Sequence, residues 1–276
     1  MLTNMDKLYE SVAANGPVCV GLDTEISYLP TTDTAKTAGE NVVAFNRALI
    51  DATKGVAGCY KVQIAYYESL GLDGMRAYAE TLKLARATGL PVIADIKRGD
   101  IAKTAEMYAK AHFTGDFEAD IITLAPYMGL DSISPYLPYC AEQGKGVFVL
   151  CRTSNPGGDD IQMLEVNGEK IYERLARLAA TEWNLNGELG LVVGATYPAE
   201  LANVRRIAPN LPLLVPGIGA QGGDIRACVE AGKTAEGTGM VINSGRAIIY
   251  ASREDDWKEA ARKTAIATRD SIQAAV

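Results

Sequence analysis

Short apolar runs recur along the chain, each followed by a segment whose apolar residues return at helical spacing. The strand-like runs are "PVCVGLD" (17–23), "GCYKVQIA" (58–65), "PVIADIK" (91–97) and "ADIITLA" (119–125). They continue with "GVFVLCR" (146–152), "GELGLVVGA" (187–195), "LPLLVPG" (211–217) and "GMVINSG" (239–245). Between them lie amphipathic stretches such as "TAGENVVAFNRALIDAT", "GMRAYAETLKLARATG" and "EKIYERLARLAATEWN". Eight strand–helix units predict a (β/α)8 TIM barrel, although a doubly wound open sheet alternates in the same way. No Pro/Ser-rich linker, charge block or low-complexity tract divides the chain, and "RTSNPGGDDIQMLEVNG" (152–168) is too structured in composition to be a linker. The expectation is one domain over residues 1–276, with a short N-terminal helix at about 3–14.

Polar residues interrupt this pattern at the same end of six of the eight units. Asp23 ends the first run, Lys61 lies in the second, and Asp95 and Lys97 end the third. Ser154 follows the fifth, "PGIGAQGGD" (216–224) the seventh and "NSGR" (243–246) the eighth. All fall at or just beyond the C-terminal ends of strands, the face on which a barrel carries its active site.

The third run poses the sharpest question. "PVIADIKRGDIAKTAEMYA" (91–109) sets Asp95, Lys97 and Asp100 where the pattern asks for core. Burying charge costs several kcal/mol unless the charges compensate one another. Asp95 and Lys97 are two apart on a strand, so they should share a side, with Ile96 turned towards the helices. A neighbouring strand supplies Lys61, and Asp100 follows where the helix begins. Opposite charges about 4 Å apart attract by roughly 4 kcal/mol at an effective dielectric near 20. Two carboxylates beside Lys97 should keep it an ammonium ready to donate a proton. The cluster can be read as a structural ion-pair group at the barrel mouth, or as a site for reactions that develop a carbanion needing a proton.

Composition removes several alternatives. The 276 residues are 48% hydrophobic and 22% charged, a globular balance with a net charge of −7. That charge argues against nucleic acid or an anionic membrane as partner, while a local basic pocket can still take an anionic small molecule. No run approaches a membrane span, and "MLTNMDKLYESVAANG" lacks a signal-peptide core, so a cytoplasmic protein is expected. Five cysteines, widely spaced and without C-x-x-C, read as reduced core thiols. The single histidine, His112, excludes multi-His metal sites and reads as an exposed or satisfied bystander near a helix end. The chemistry falls to Lys, Asp and Arg.

Glycines after the seventh run (Gly217, Gly219, Gly222, Gly223) let backbone amides converge on an anion, and the following helix should add its positive end. Arg246 can grip phosphate oxygens in a bidentate contact. Loops after strands seven and eight are the recurrent phosphate site of barrels. Alone, "GIGAQGG" could be only a flexible turn. Its spacing does not match the dinucleotide fingerprint G-x-G-x-x-G.

"ADIKRGDI", "SNPGG", "PGIGAQGGD" and "SGRAIIYA", in this order over roughly 17–253, closely resemble the orotidine 5′-phosphate decarboxylase family, in particular its longer bacterial type 2 branch. The resemblance implies a cofactor-free, metal-free conversion of orotidine 5′-monophosphate to UMP and CO2 in de novo pyrimidine synthesis. By resemblance, Asp23 and Lys61 would bind the ribose hydroxyls, Asp95 would face the substrate carboxylate and Lys97 would protonate C6. Asp100, Ile101 and Thr104 would reach the other subunit's site in a homodimer with shared active sites. Ser154 would read the pyrimidine amide edge, Pro216 would border the base, and Gln221, Gly245 and Arg246 would hold the phosphate. The chain is longer than short relatives around "RTSNPGGDDIQMLEVNGEK" and "AGKTAEGTGM". Three other readings exist. A sister decarboxylase acting on a sugar β-keto acid phosphate with Mg2+ would want metal-binding acids on the first two strands, where Lys61 stands. A phosphosugar isomerase or epimerase would want Glu or paired Asp in place of Lys97. A non-catalytic nucleotide-binding barrel would have no need of four buried charges.

Overall fold

Eight parallel strands close on themselves, each paired with the next in sequence and the last with the first. They are β1 Val18–Gly21, β2 Cys59–Gln63, β3 Val92–Arg98 and β4 Ile121–Leu124, then β5 Gly146–Arg152, β6 Leu189–Val193, β7 Leu213–Pro216 and β8 Met240–Ser244. All eight expected runs are strands of one closed barrel. The computed structural model describes residues 2–218 and 224–276.

The strands are hydrophobic on both sides because both sides are covered, as in parallel sheets generally. Helices Ala38–Thr53, Gly71–Arg86 and Ala102–Phe113 pack outside, where Val42, Leu49, Leu82 and Phe113 meet Val18, Val62 and Ile96. Local chemistry starts some of them: Thr37 accepts the Glu40 amide while Glu40 accepts that of Thr37, a capping box worth about 1 kcal/mol. A second capping box, Thr3 with Asp6, opens the helix Asn4–Asn15.

Inside the barrel each strand contributes one residue to a common layer: Cys19, Cys59, Ile93, Ile121, Phe148, Val192, Leu214 and Val241. Met5 and Leu8 of the N-terminal helix join this layer and plug the barrel's lower end. Space is tight there. A methyl on Gly190 would stand 2.5 Å from the Phe148 ring, and one on Gly146 would stand 2.8 Å from the Met5 sulfur. All five cysteines are buried and unpaired.

Two segments differ from expectation. "EKIYERLARLAATEWN" is helical only over Ile171–Leu178, with a widened π turn at Ala179–Trp183. Its first two residues, Glu169 and Lys170, pair with Val166 and Glu165 in a two-stranded ribbon. The turn between them is Asn167-Gly168, both at positive φ (56° and 81°), the Asn-Gly signature of a tight hairpin. His112 is buried rather than exposed, and its Nδ1 has no hydrogen-bond partner among the described residues. Burial, with the Arg98 charge nearby, pushes its pKa down to about 4, so it is neutral at pH 7. Among the described residues no helix is long and apolar enough to cross a membrane.

Candidate active site

Moving two residues along each strand from the inner apolar layer keeps the side chain inside the barrel. From that layer the step leads to Gly21, Lys61, Asp95, Thr123, Leu150, Gly194, Pro216 and Asn243. Six of these line a cavity of about 510 Å³ at the C-terminal mouth, and the two glycines leave room for their neighbours. A methyl on Gly194 would lie 2.8 Å from Cβ of Ser154, and one on Gly21 would lie 3.0 Å from Oδ1 of Asn243. The site is the next layer of the barrel, with charge in place of hydrocarbon.

Its core is a chain of alternating charges. Lys61 Nζ lies 3.2 Å from Asp23 Oδ1 and 3.0 Å from Asp95 Oδ2, and Lys97 Nζ lies 2.6 Å from Asp95 Oδ1. Gln63 Nε2 donates to Asp95 Oδ2 at 3.0 Å, and Thr123 Oγ1 donates to Oδ1 at 2.9 Å. Asp95 thus accepts four bonds, two on each oxygen, which fills the capacity of an ionised carboxylate. Burial would raise its pKa, but the Lys61 and Lys97 ammoniums hold it well below the usual carboxylate range. Burial would likewise lower the pKa of Lys61; the Asp23 and Asp95 carboxylates outweigh it and hold Lys61 firmly protonated. The side chains of Lys61 and Asp95 are 5% and 9% exposed, whereas that of Lys97 is 45% exposed and faces the cavity. The arrangement offers a substrate one accessible ammonium backed by a fixed negative charge.

Asp95 and Lys97 do meet, although simple strand alternation is not the reason. Between Ala94 and Arg98 the register with β4 shifts, and Lys97 takes a left-handed backbone, φ 45°. The expectation of two carboxylates at Lys97 is corrected within one chain. Among the described residues the ion pairs of Lys61 and Lys97 go to Asp23 and Asp95, while Asp100 Oδ1 accepts the Ile101 amide at 2.8 Å. Past Gly99 the chain turns away from the mouth, and Ile101 and Thr104 are exposed outside the cavity.

Ser154 lines the cavity on a loop held from behind. Thr153 N donates to Gln162 Oε1 at 2.9 Å, and Gln162 Nε2 donates to Thr153 Oγ1 at 2.8 Å. The buried Arg152 pairs with Asp159 at 2.7 Å and stacks 4.4 Å over the Tyr197 ring. Pro216, Gly217, Gly245 and Arg246, at the ends of β7 and β8, also line the cavity, with Arg246 exposed just past β8. Gln221, Gly219, Gly222 and Gly223 lie outside the described residues. The helix Ile225–Gly232 follows this loop, and part of its first turn is engaged by its own chain. Asp224 Oδ1 accepts the Arg226 amide at 2.8 Å and the Ala227 amide at 3.3 Å, so its own carboxylate occupies the first turn.

The sequence reading assigned no role to Thr123, Gln63, Tyr66, Leu150, Asn155 or Asn243, all of which line the cavity. Counting by twos from Ile121 and Val241 would have placed Thr123 and Asn243 there. Asn243 Oδ1 is buried with no partner among the described residues, unusual for an amide beside a cavity. Among the described residues no group of three or more His, Cys, Asp or Glu is placed to hold a metal ion.

Fold and site together define a (β/α)8-barrel enzyme whose working groups are ammoniums and carboxylates. The model of the "Orotidine 5'-phosphate decarboxylase / HUMPS family" matches residues 16–264, and the chain belongs to that family. It is 52% identical over 256 residues to the orotidine 5′-phosphate decarboxylase of Cupriavidus metallidurans, covering 92% of each chain. It is 50% identical over 284 aligned positions to that of Clostridium perfringens, covering 98% of each. The structure of Leishmania donovani OMP decarboxylase superposes with a TM-score of 0.83 at 39% identity, over 99% of this chain and 98% of that one.

Proposed function

We propose that this chain is an orotidine 5′-phosphate decarboxylase, converting orotidine 5′-monophosphate to UMP and CO2 without a cofactor. The observation that carries the reading is the buried Lys61, held between Asp23 and Asp95, with Lys97 paired to Asp95 and open to the cavity. In the reaction the bond from C6 to the carboxylate carbon breaks and CO2 leaves. The electron pair stays on C6, and Lys97 Nζ transfers a proton to it. Solvent then reprotonates Lys97. The Asp95 carboxylate, fully engaged by its own chain, holds Lys97 in place and faces the side from which CO2 departs. Because these charges are fixed before the substrate arrives, little reorganisation accompanies the chemical step.

Asp23 and Lys61 would take the ribose hydroxyls, Ser154 the amide edge of the base, and Pro216 its face. Gly245 and Arg246, with Gln221, would hold the phosphate. Binding energy from that remote group would organise the charged site for the transition state.

The whole of 1–276 would act as one cytoplasmic barrel domain, in a homodimer. Asp100, Ile101 and Thr104 would complete the partner's site. Exposed Ile101 and Met107 line a surface hollow with Pro135 and Pro138, and Met128 and Leu130 are exposed as well, apolar surface for that contact. The test is to follow the absorbance of orotidine 5′-monophosphate with EDTA present. Metal-independent loss of substrate supports the reading. A chain inert towards it, yet active with Mg2+ on a sugar β-keto acid phosphate, would overturn it.

A further inference from the structure

One uncharged side chain touches both the charged site and the backbone that carries it. Between Ala94 and Arg98 strand β3 advances four residues while its neighbour β4 advances two, from Ile122 to Leu124. Strand β3 therefore bulges, and a bulge strands backbone amides that a regular ladder would pair. Thr123 answers them: its Oγ1 accepts the amides of Ile96 and Lys97, each at 3.0 Å. A hydroxyl has two acceptor sites and one donor. Both acceptor sites being taken, its proton goes to Asp95 Oδ1, 2.9 Å away.

The same oxygen thus touches the backbone that carries Lys97 and the carboxylate with which Lys97 pairs. Lys97 stands at φ 45°, a conformation that disfavours a residue with a side chain by about 1–2 kcal/mol and persists where surroundings enforce it. Thr123 is 1% exposed, and Asp95 and the Lys97 backbone are packed around it, so this contact is built into the interior.

We infer that Thr123 is a positioning residue of this site: its hydroxyl sets the bulge that aims the Lys97 ammonium and orients the carboxylate paired with it. The inference rests on the function proposed above. Without the hydroxyl, the Ile96 and Lys97 amides lose their acceptor and the bulge relaxes. Displacing a reacting group by about 1 Å lowers a rate by about 100-fold. Contacts to phosphate and base lie elsewhere in the cavity, so nucleotide affinity should hold.

The experiment compares Thr123→Val, nearly equal in shape, with Thr123→Ser, which keeps the hydroxyl. It measures kcat on orotidine 5′-monophosphate and, separately, UMP binding by calorimetry. Thr123→Val should lose about 100-fold in kcat with UMP affinity within about threefold, and Thr123→Ser should stay within about threefold in both. Three results would each overturn the inference: undiminished kcat in Thr123→Val, an equal loss in Thr123→Ser, or UMP affinity falling in step with kcat. If Thr123→Val does not fold, Thr123→Cys replaces it, since a thiol is a weak acceptor; equal rates for Cys and Ser would overturn the inference. An active wild type with an unaffected variant refutes this inference alone. A wild type inert towards orotidine 5′-monophosphate refutes the proposed function with it.

Discussion

Replacing Lys61 by Met tests whether the charge chain at the barrel mouth holds the fold as well as the chemistry. Methionine retains most of the stem and removes the ammonium. In the native site that ammonium lies 3.2 Å from Asp23 and 3.0 Å from Asp95, with 5% of its side chain exposed. At an effective dielectric near 20 each contact is worth about 5 kcal/mol of Coulomb attraction, most of it offset by the cost of burying the ion. Removing Lys61 takes the ammonium from Asp23 and leaves Asp95 with Lys97 as its remaining cation, for which about 3–5 kcal/mol is the expected loss at pH 7. In a chain of this size that corresponds to a fall in Tm on the order of 10 °C.

The pH dependence follows from the sign of the shift. The folded pKa of Asp95 lies below its unfolded value, so its stabilisation is present above about pH 3.9 and is lost as pH falls through the folded pKa. In the variant the carboxylate has lost a cation, so it protonates at higher pH, and protonation relieves the imbalance. The deficit of the variant should therefore be largest near neutrality and narrow as pH falls towards 4. Urea unfolding followed by circular dichroism, at one protein concentration and at pH 7 and about 4.5, measures both quantities. A deficit below about 1 kcal/mol at pH 7, or one that widens on acidification, would refute the reasoning.

Lys97→Ala should abolish turnover while UMP still binds, since phosphate and base contacts remain; near-normal kcat would dismiss Lys97 as the proton donor. Arg246→Ala should lower kcat/KM for the nucleotide by about 3 kcal/mol and affect phosphate-free orotidine much less, whereas equal losses on both would make Arg246 structural. For the dimer, Lys97→Ala and Asp100→Ala chains can be unfolded together in equal amounts and refolded. If Asp100 serves the partner's site, about half the dimers are mixed and about a quarter of all sites regain a full set of residues. With wild type recovering under the same protocol, a mixture that stays inactive would place Asp100 in its own subunit's site.

The order of elements was legible in the sequence because each signal is local. Alternating apolar runs and helical spacing marked all eight strands and the amphipathic stretch that becomes Ala38–Thr53. The gathering of Asp23, Lys61, Asp95, Lys97, Ser154, Pro216, Gly245 and Arg246 around one cavity was also legible, since strand ends in a closed parallel barrel share one rim. What escaped depends on relations between segments. Asp224 could not be seen to cap its own helix, because an Asp at that position suits other uses as well. The role of Thr123 depends on a slip in register between β3 and β4, and no period within either strand encodes a slip. Lys97 meets Asp95 through that slip and a left-handed residue, where alternation alone had promised the same meeting by a straight strand. Periodicity assigns a residue to a face of its own strand; only the closed barrel, by setting each strand's height against its neighbour, decides which atoms come within hydrogen-bond reach.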